Sequence, residues 1–83
     1  MSRELAVKLW KIYILEKDYN RGIYPEELRS HGICTKHEIS SLIDALKKDC
    51  ALIETNVQGA NTYTVSNIGR AHIESYLDLK REM

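Results

Sequence analysis

The chain has no phenylalanine, one proline, two cysteines, four glycines and no net charge in 83 residues. Each scarcity excludes something. With so little proline and glycine there is no linker and no low-complexity stretch, and no internal repeat is visible. No uninterrupted apolar run is longer than Ile12 to Leu15, which is far too short to span a bilayer. The opening "MSRELAVKLW" carries a charge pair and lacks an apolar signal core followed by small residues, so a cytoplasmic protein is expected, with no membrane partner. Twelve basic and twelve acidic side chains cancel, so the whole-molecule field draws the chain toward neither nucleic acid nor an anionic membrane. Any such binding must come from local arrangement. The length allows one domain, residues 1–83, with a single modest core, which excludes large catalytic architectures.

The two cysteines, Cys34 and Cys50, flank a predicted helix over 35–49. Such a helix is roughly 22 Å long at 1.5 Å per residue, so the two thiols cannot meet. They are expected as small buried apolar residues in a reducing compartment.

What is present is mostly helical periodicity. In "SRELAVKLWKIYILEKDY", Ser2 suits an N-cap and Glu4 the first turn, where the helix dipole favours negative charge. Leu5, Leu9, Ile12 and Tyr13 form one buried stripe. Val7, Trp10 and Ile14 form a second, so the helix needs either two partners within the domain or a second copy of the chain. "NRGIYPEELRSHG" then reads as a turn, a short extended piece and a short helix, with Pro25 at its first position, Glu26 and Glu27 in its first turn and Gly32 in the left-handed position after it. Adjacent carboxylates on a helix do not face each other, so Glu26 and Glu27 are dipole-complementing charges rather than an acid/base pair.

The clearest helix is "CTKHEISSLIDALKKDCALI". Thr35 and Glu38 have capping-box spacing, and Ile39, Leu42, Ile43 and Leu46 fall on one stripe. The opposite face centres on His37, Ser40, Ser41, Asp44 and Lys48, flanked by Lys36 and Lys47. "ALIETN" and "TYTVS" alternate in polarity and are β-branched, with a glycine in the intervening "VQGAN"; they predict a hairpin over 52–66. Ser66 is the expected N-cap of a last helix whose inward stripe is Ile68, Ala71, Ile73, Tyr76 and Leu77. Gly69 in its first turn lowers helix propensity, which suggests close packing against the hairpin.

The order helix, short strand, helix, helix, hairpin, helix is that of the winged helix-turn-helix domain, an α+β, mainly α architecture. "TKHEISSLIDALKKDCALIE" resembles its recognition helix and first wing strand. "TYTVSNIGRAHIESYL" resembles the wing-to-last-helix signature of PadR-type and MarR-type transcriptional regulators, in which positions like Tyr63, Val65, Ser66 and Gly69 recur. The chain departs from that pattern twice: no glycine follows the third helix, so Asp49 or Cys50 must make the turn, and the wing from Glu54 to Asn61 contains neither Lys nor Arg.

The resemblance implies sequence-specific binding of double-stranded DNA by a homodimer, with the helix at 35–49 in the major groove. His37, Ser40, Ser41 and Lys48 would then face base edges, and Lys36, Lys47 and Arg29 would lie nearer phosphates. Asn56, Gln58 and Asn61 would make neutral wing contacts. Asp44 would either accept from a cytosine amino group or repel phosphate. Val7, Trp10 and Ile14 with Tyr76 and Leu79 could supply the dimer contact. Winged helices also serve as protein-interaction modules, and zero net charge with a neutral wing suits that alternative too. His31, Cys34 and His37 lie three apart, but Gly32 interrupts them and no paired Cys-x-x-Cys spacing exists, so no metal is expected. There is no phosphate-binding Gly-rich loop and no nucleophile elbow, and neither serine of "ISSL" has a local base; no catalytic residue and no cofactor is assigned.

Overall fold

Three capped helices, a hairpin and a fourth helix follow one another in the order the periodicities predict. A computed structural model describes residues 1–77. Helix α1, Arg3–Tyr19, starts at Ser2, whose side chain accepts from the Leu5 N–H at 3.1 Å, and ends at Asn20 in the left-handed conformation, φ 55°. Helix α2, Pro25–Ser30, has proline in its first turn and Gly32 beyond its end at φ 71°. Before α2, Arg21 forms a two-pronged ion pair with Glu27, whose carboxylate also accepts from the Tyr24 N–H at 2.8 Å. Helix α3, Ile39–Lys48, is preceded by a single 3-10 turn, Lys36–Glu38. The predicted helix over 35–49 is therefore α-helical only after its first turn. At that turn the Glu38 carboxylate accepts from both the N–H and the hydroxyl of Thr35, each at 3.0 Å.

Strands β1, Leu52–Val57, and β2, Ala60–Val65, pair antiparallel from Leu52 opposite Val65 to Val57 opposite Ala60. The connecting residues Gln58 and Gly59 both have positive φ, 53° and 87°, which is the twist a two-residue hairpin needs. The short extended piece is Ile23, which exchanges backbone hydrogen bonds with Tyr63 at 2.8 and 2.9 Å. Helix α4 covers Asn67–Leu77. This is the winged helix-turn-helix architecture, with the β1–β2 hairpin as wing.

The core gathers one face of each helix: Ala6, Leu9 and Ile12 of α1, Leu28 of α2, Leu42, Ile43 and Leu46 of α3 and Ile73 of α4, closed by Ile23, Ile33, Ala51, Tyr63 and Val65. Two contacts bind the wing to the helices. Glu16 of α1 accepts from the Val65 N–H at 2.8 Å. Ser66 caps α4 by accepting from the Gly69 N–H at 2.9 Å, while its hydroxyl donates to the Cys50 carbonyl at 2.7 Å.

Two expectations are corrected. Ile68, 52% exposed, and Ala71, also exposed, face away from the core, because the tight approach of Gly69 turns the 69–73–76 side of α4 inward. Cys50 is exposed rather than buried: it takes the left-handed turn after α3, φ 57°, which points it outward. Cys34 is half-buried. Of the second stripe of α1, Val7 is half-buried, while Trp10 is 36% and Ile14 42% exposed. No helix of the described residues is long and apolar enough to cross a membrane.

Candidate nucleic-acid interface

Helix α3 buries Leu42, Ile43 and Leu46 and half-buries Ile39, so its aliphatic stripe faces the core. A helix that commits one stripe inward must present the opposite one. His37, Ser40, Ser41, Asp44 and Lys48 are all exposed, as are Lys36 and Lys47. Short serine side chains lie in the middle of that surface, where a long side chain would hold a partner away from the backbone. The Ser41 hydroxyl donates to the Glu38 carbonyl at 3.2 Å, which leaves its oxygen as an outward acceptor.

The cations divide into two kinds. Arg29, on α2, is paired with Glu26 one turn earlier. Lys47 donates to Glu54 of β1 at 3.1 Å. Lys36 and Lys48 make no ion pair among the described residues, so they are the unpaired cations of this face, with Asp44 on the same surface. Glu54 is held from its other oxygen by the Tyr63 hydroxyl at 2.6 Å. That hydrogen bond first, then the ammonium of Lys47, keeps the Glu54 carboxyl below the usual carboxylate range. Burial, reinforced by Glu54, pushes the Tyr63 phenol up to about 12.

At the wing, two of the three neutral candidates hold each other. The Asn56 amide donates to Asn61 Oδ1 at 3.1 Å, and Asn56 Oδ1 accepts from the Gly59 N–H at 3.0 Å. These bonds fix the turn. Gln58 projects from the tip, exposed. The hairpin thus has a rigid, uncharged end, and its nearest charge to α3 is the acidic Glu54.

Away from this face, Val7 is half-buried and Trp10 and Ile14 are exposed on α1. Trp10 and Ile14 border a groove of about 290 Å3 lined also by Lys11, Leu15, His31 and Ile33. Tyr76 is half-buried on α4, and its carbonyl accepts from Arg3 at 2.6 Å; Leu79 lies outside the described residues. The structure therefore places α1 and the end of α4 side by side, apart from the polar face of α3. His31 is engaged with the Tyr19 hydroxyl at 2.8 Å, and the described residues contain no group of three His, Cys, Asp or Glu that could hold a metal ion.

Sequence reasoning missed Glu54 as the partner of Lys47 and Tyr63, and Glu16 as the acceptor for the wing. Glu54 had a legible signal: once the hairpin turns at Gln58–Gly59, period two sets it opposite Tyr63 on one face. Glu16 had none, since its partner is 49 residues away.

The backbone is similar over 100% of its length to that of MepR in a crystal structure of the S. aureus MepR–DNA complex, with a TM-score of 0.77 at 15% sequence identity. The chain covers 59% of that MepR chain. No family model matches the sequence, and no curated protein matches it. The likeness is thus one of fold, and it spans the three-helix core, the wing and the last helix.

Proposed function

We propose that this protein is a sequence-specific DNA-binding regulator that acts as a homodimer, with α3 in the major groove and the β1–β2 hairpin as wing. One observation supports this reading above the others: the outward face of α3 is polar, short-chained at its centre and unobstructed, on a fold shared with a protein solved on DNA. In it, His37, Ser40, Ser41 and Lys48 read base edges, Lys36 contacts phosphate, and Arg29 and Lys47 do so only by exchanging their carboxylate partners for DNA. Gln58 supplies the outermost neutral contact of the wing, with Asn56 and Asn61 shaping the turn behind it.

A single copy offers few uncompensated cations, so affinity requires two recognition helices on half-sites about 34–36 Å apart. The ridge of Val7, Trp10 and Ile14 supports a second copy as its cover, with Tyr76 and Leu79 of the last helix alongside. Selection of the full chain against random duplexes, read by gel shift, tests the reading. An enriched inverted repeat is expected, and failure to enrich any sequence at low salt would count against it. Ser41→Ala is expected to alter base preference, and Trp10→Ala to shift sedimentation toward monomer.

The exposed ridge and the uncharged wing favour a second reading, a protein-interaction module on the same fold. A monomer that binds no DNA and takes up one protein partner through Trp10 would select it.

A further inference from the structure

Lys47, Glu54 and Tyr63 form a chain at the junction of α3 and the wing. Glu54 stands opposite Tyr63 in the strand register, and both carboxylate oxygens are used, one by the buried tyrosine at 2.6 Å and one by Lys47 at 3.1 Å. The lysine is 43% exposed and the carboxylate 33%, so a large anion can reach the pair. Asp44 lies one turn before Lys47 on α3, close enough to act on the Tyr63 hydroxyl. Lys36 and Lys48 make no ion pair among the described residues.

We propose that Glu54 is a specificity-determining residue that withholds Lys47 from the phosphate backbone of DNA. This rests on the DNA-binding reading given above. A lysine that neutralises a phosphate releases counterions and adds affinity for every sequence alike. Lys47 must first leave a carboxylate that is anchored from behind by a buried ring, so its contribution to sequence-independent binding is small. Contacts from Ser40, Ser41 and Lys48 to base edges therefore make up a larger share of the total. The uncharged wing works in the same direction.

Glu54→Gln tests this directly, because the amide keeps an acceptor for the Tyr63 hydroxyl and loses the charge that holds Lys47. Affinities of the native chain, Glu54→Gln, Lys47→Ala and the double variant are measured on selected and random duplexes from 50 to 200 mM salt, with circular dichroism confirming that each is folded. Glu54→Gln is expected to bind random duplex several-fold tighter at 50 mM salt. Its log–log salt slope steepens by about 0.9, so that this advantage shrinks about 3.5-fold by 200 mM. The ratio of selected to random affinity falls. Lys47→Ala changes little in the native background and cancels the gain in the Glu54→Gln background. Equal losses from Lys47→Ala in both backgrounds, or no effect of Glu54→Gln while DNA is bound, overturns the role of Glu54 and leaves the DNA reading intact. Absence of binding by all four chains at low salt removes the reading, and this inference with it.

Discussion

Gly69→Ala separates local propensity from packing. In an exposed helix the substitution should stabilise, since alanine is better than glycine in a helix interior by about 1 kcal/mol. Here a Cβ at position 69 would lie 2.4 Å from the Ala51 carbonyl oxygen and 2.8 Å from Val65 Cγ1. The first neighbour is backbone, and that carbonyl already accepts from the Ser66 N–H at 2.9 Å, so it cannot swing aside cheaply. To restore ordinary contact, α4 would have to move about 1 Å off the base of the wing, an overpacking strain of about 1–3 kcal/mol or somewhat more. Because the clash is with backbone, the upper part of that range, about 2–3 kcal/mol, applies, and with the propensity gain of about 1 kcal/mol set against it the net loss is about 1–2 kcal/mol. For a domain of this size each kcal/mol moves the melting temperature by about 4–8 °C, so thermal unfolding followed by circular dichroism should show a fall of roughly 5–15 °C. A rise of several degrees would refute the reasoning. It would mean that α4 does not depend on a close approach at Gly69, and that the glycine needs another explanation.

Cys50→Gly is expected to stabilise the chain by about 0.5–1 kcal/mol, because relief of a left-handed residue at φ 57° outweighs the added entropy of glycine in the unfolded state; denaturant midpoints check it. Ile68→Thr should leave stability within about 0.5 kcal/mol, since the side chain is 52% exposed and outside the core, whereas the uncorrected stripe would demand a core-sized loss. Glu27, Glu38 and Glu54 all have carboxyls held below the usual range, by the hydrogen bonds from Arg21, the Thr35 backbone and Tyr63 respectively. Lowered folded-state values mean that their stabilisation is fully present above about pH 5 and is lost as pH falls through those values. Melting temperature should therefore decline below about pH 5, and Glu27→Gln should flatten that decline.

Much of the fold was legible because its signals are local. Ser2 and Ser66 mark helix starts by accepting from N–H groups three residues on, Pro25 does so by its fixed φ, and Gly32 takes the left-handed conformation after α2, all as the sequence indicates. The stripe of Leu42, Ile43 and Leu46 fixed which side of α3 faces solvent before any partner was known. Departures arose where a distant element intervened. The orientation of α4 follows Gly69 against Ala51, so the predicted stripe fails at Ile68 and Ala71, while Ile73 is buried and Leu77 packs against the core as periodicity indicated.

The candidate site divides the same way. That Ser40, Ser41, Lys36 and Lys48 share an outward face is a property of 3.6 residues per turn and could be read from spacing alone. That Lys47 is engaged, while Lys36 and Lys48 make no ion pair among the described residues, depended on where another chain segment put its carboxylate. For Arg29 the partner is on the same helix, but for Lys47 it is on the wing.

By itself, the sequence determined the lack of net charge, which is a count, and the elements and the solvent face of α3, because these rest on interactions within about one turn or one strand pair. Only the tertiary structure decided that Glu54 stands between Lys47 and Tyr63, that Cys50 turns outward, and that Trp10 and Ile14 lie uncovered beside a groove. Those outcomes depend on distances between residues far apart in the chain, and such distances are set when the wing docks onto the helices.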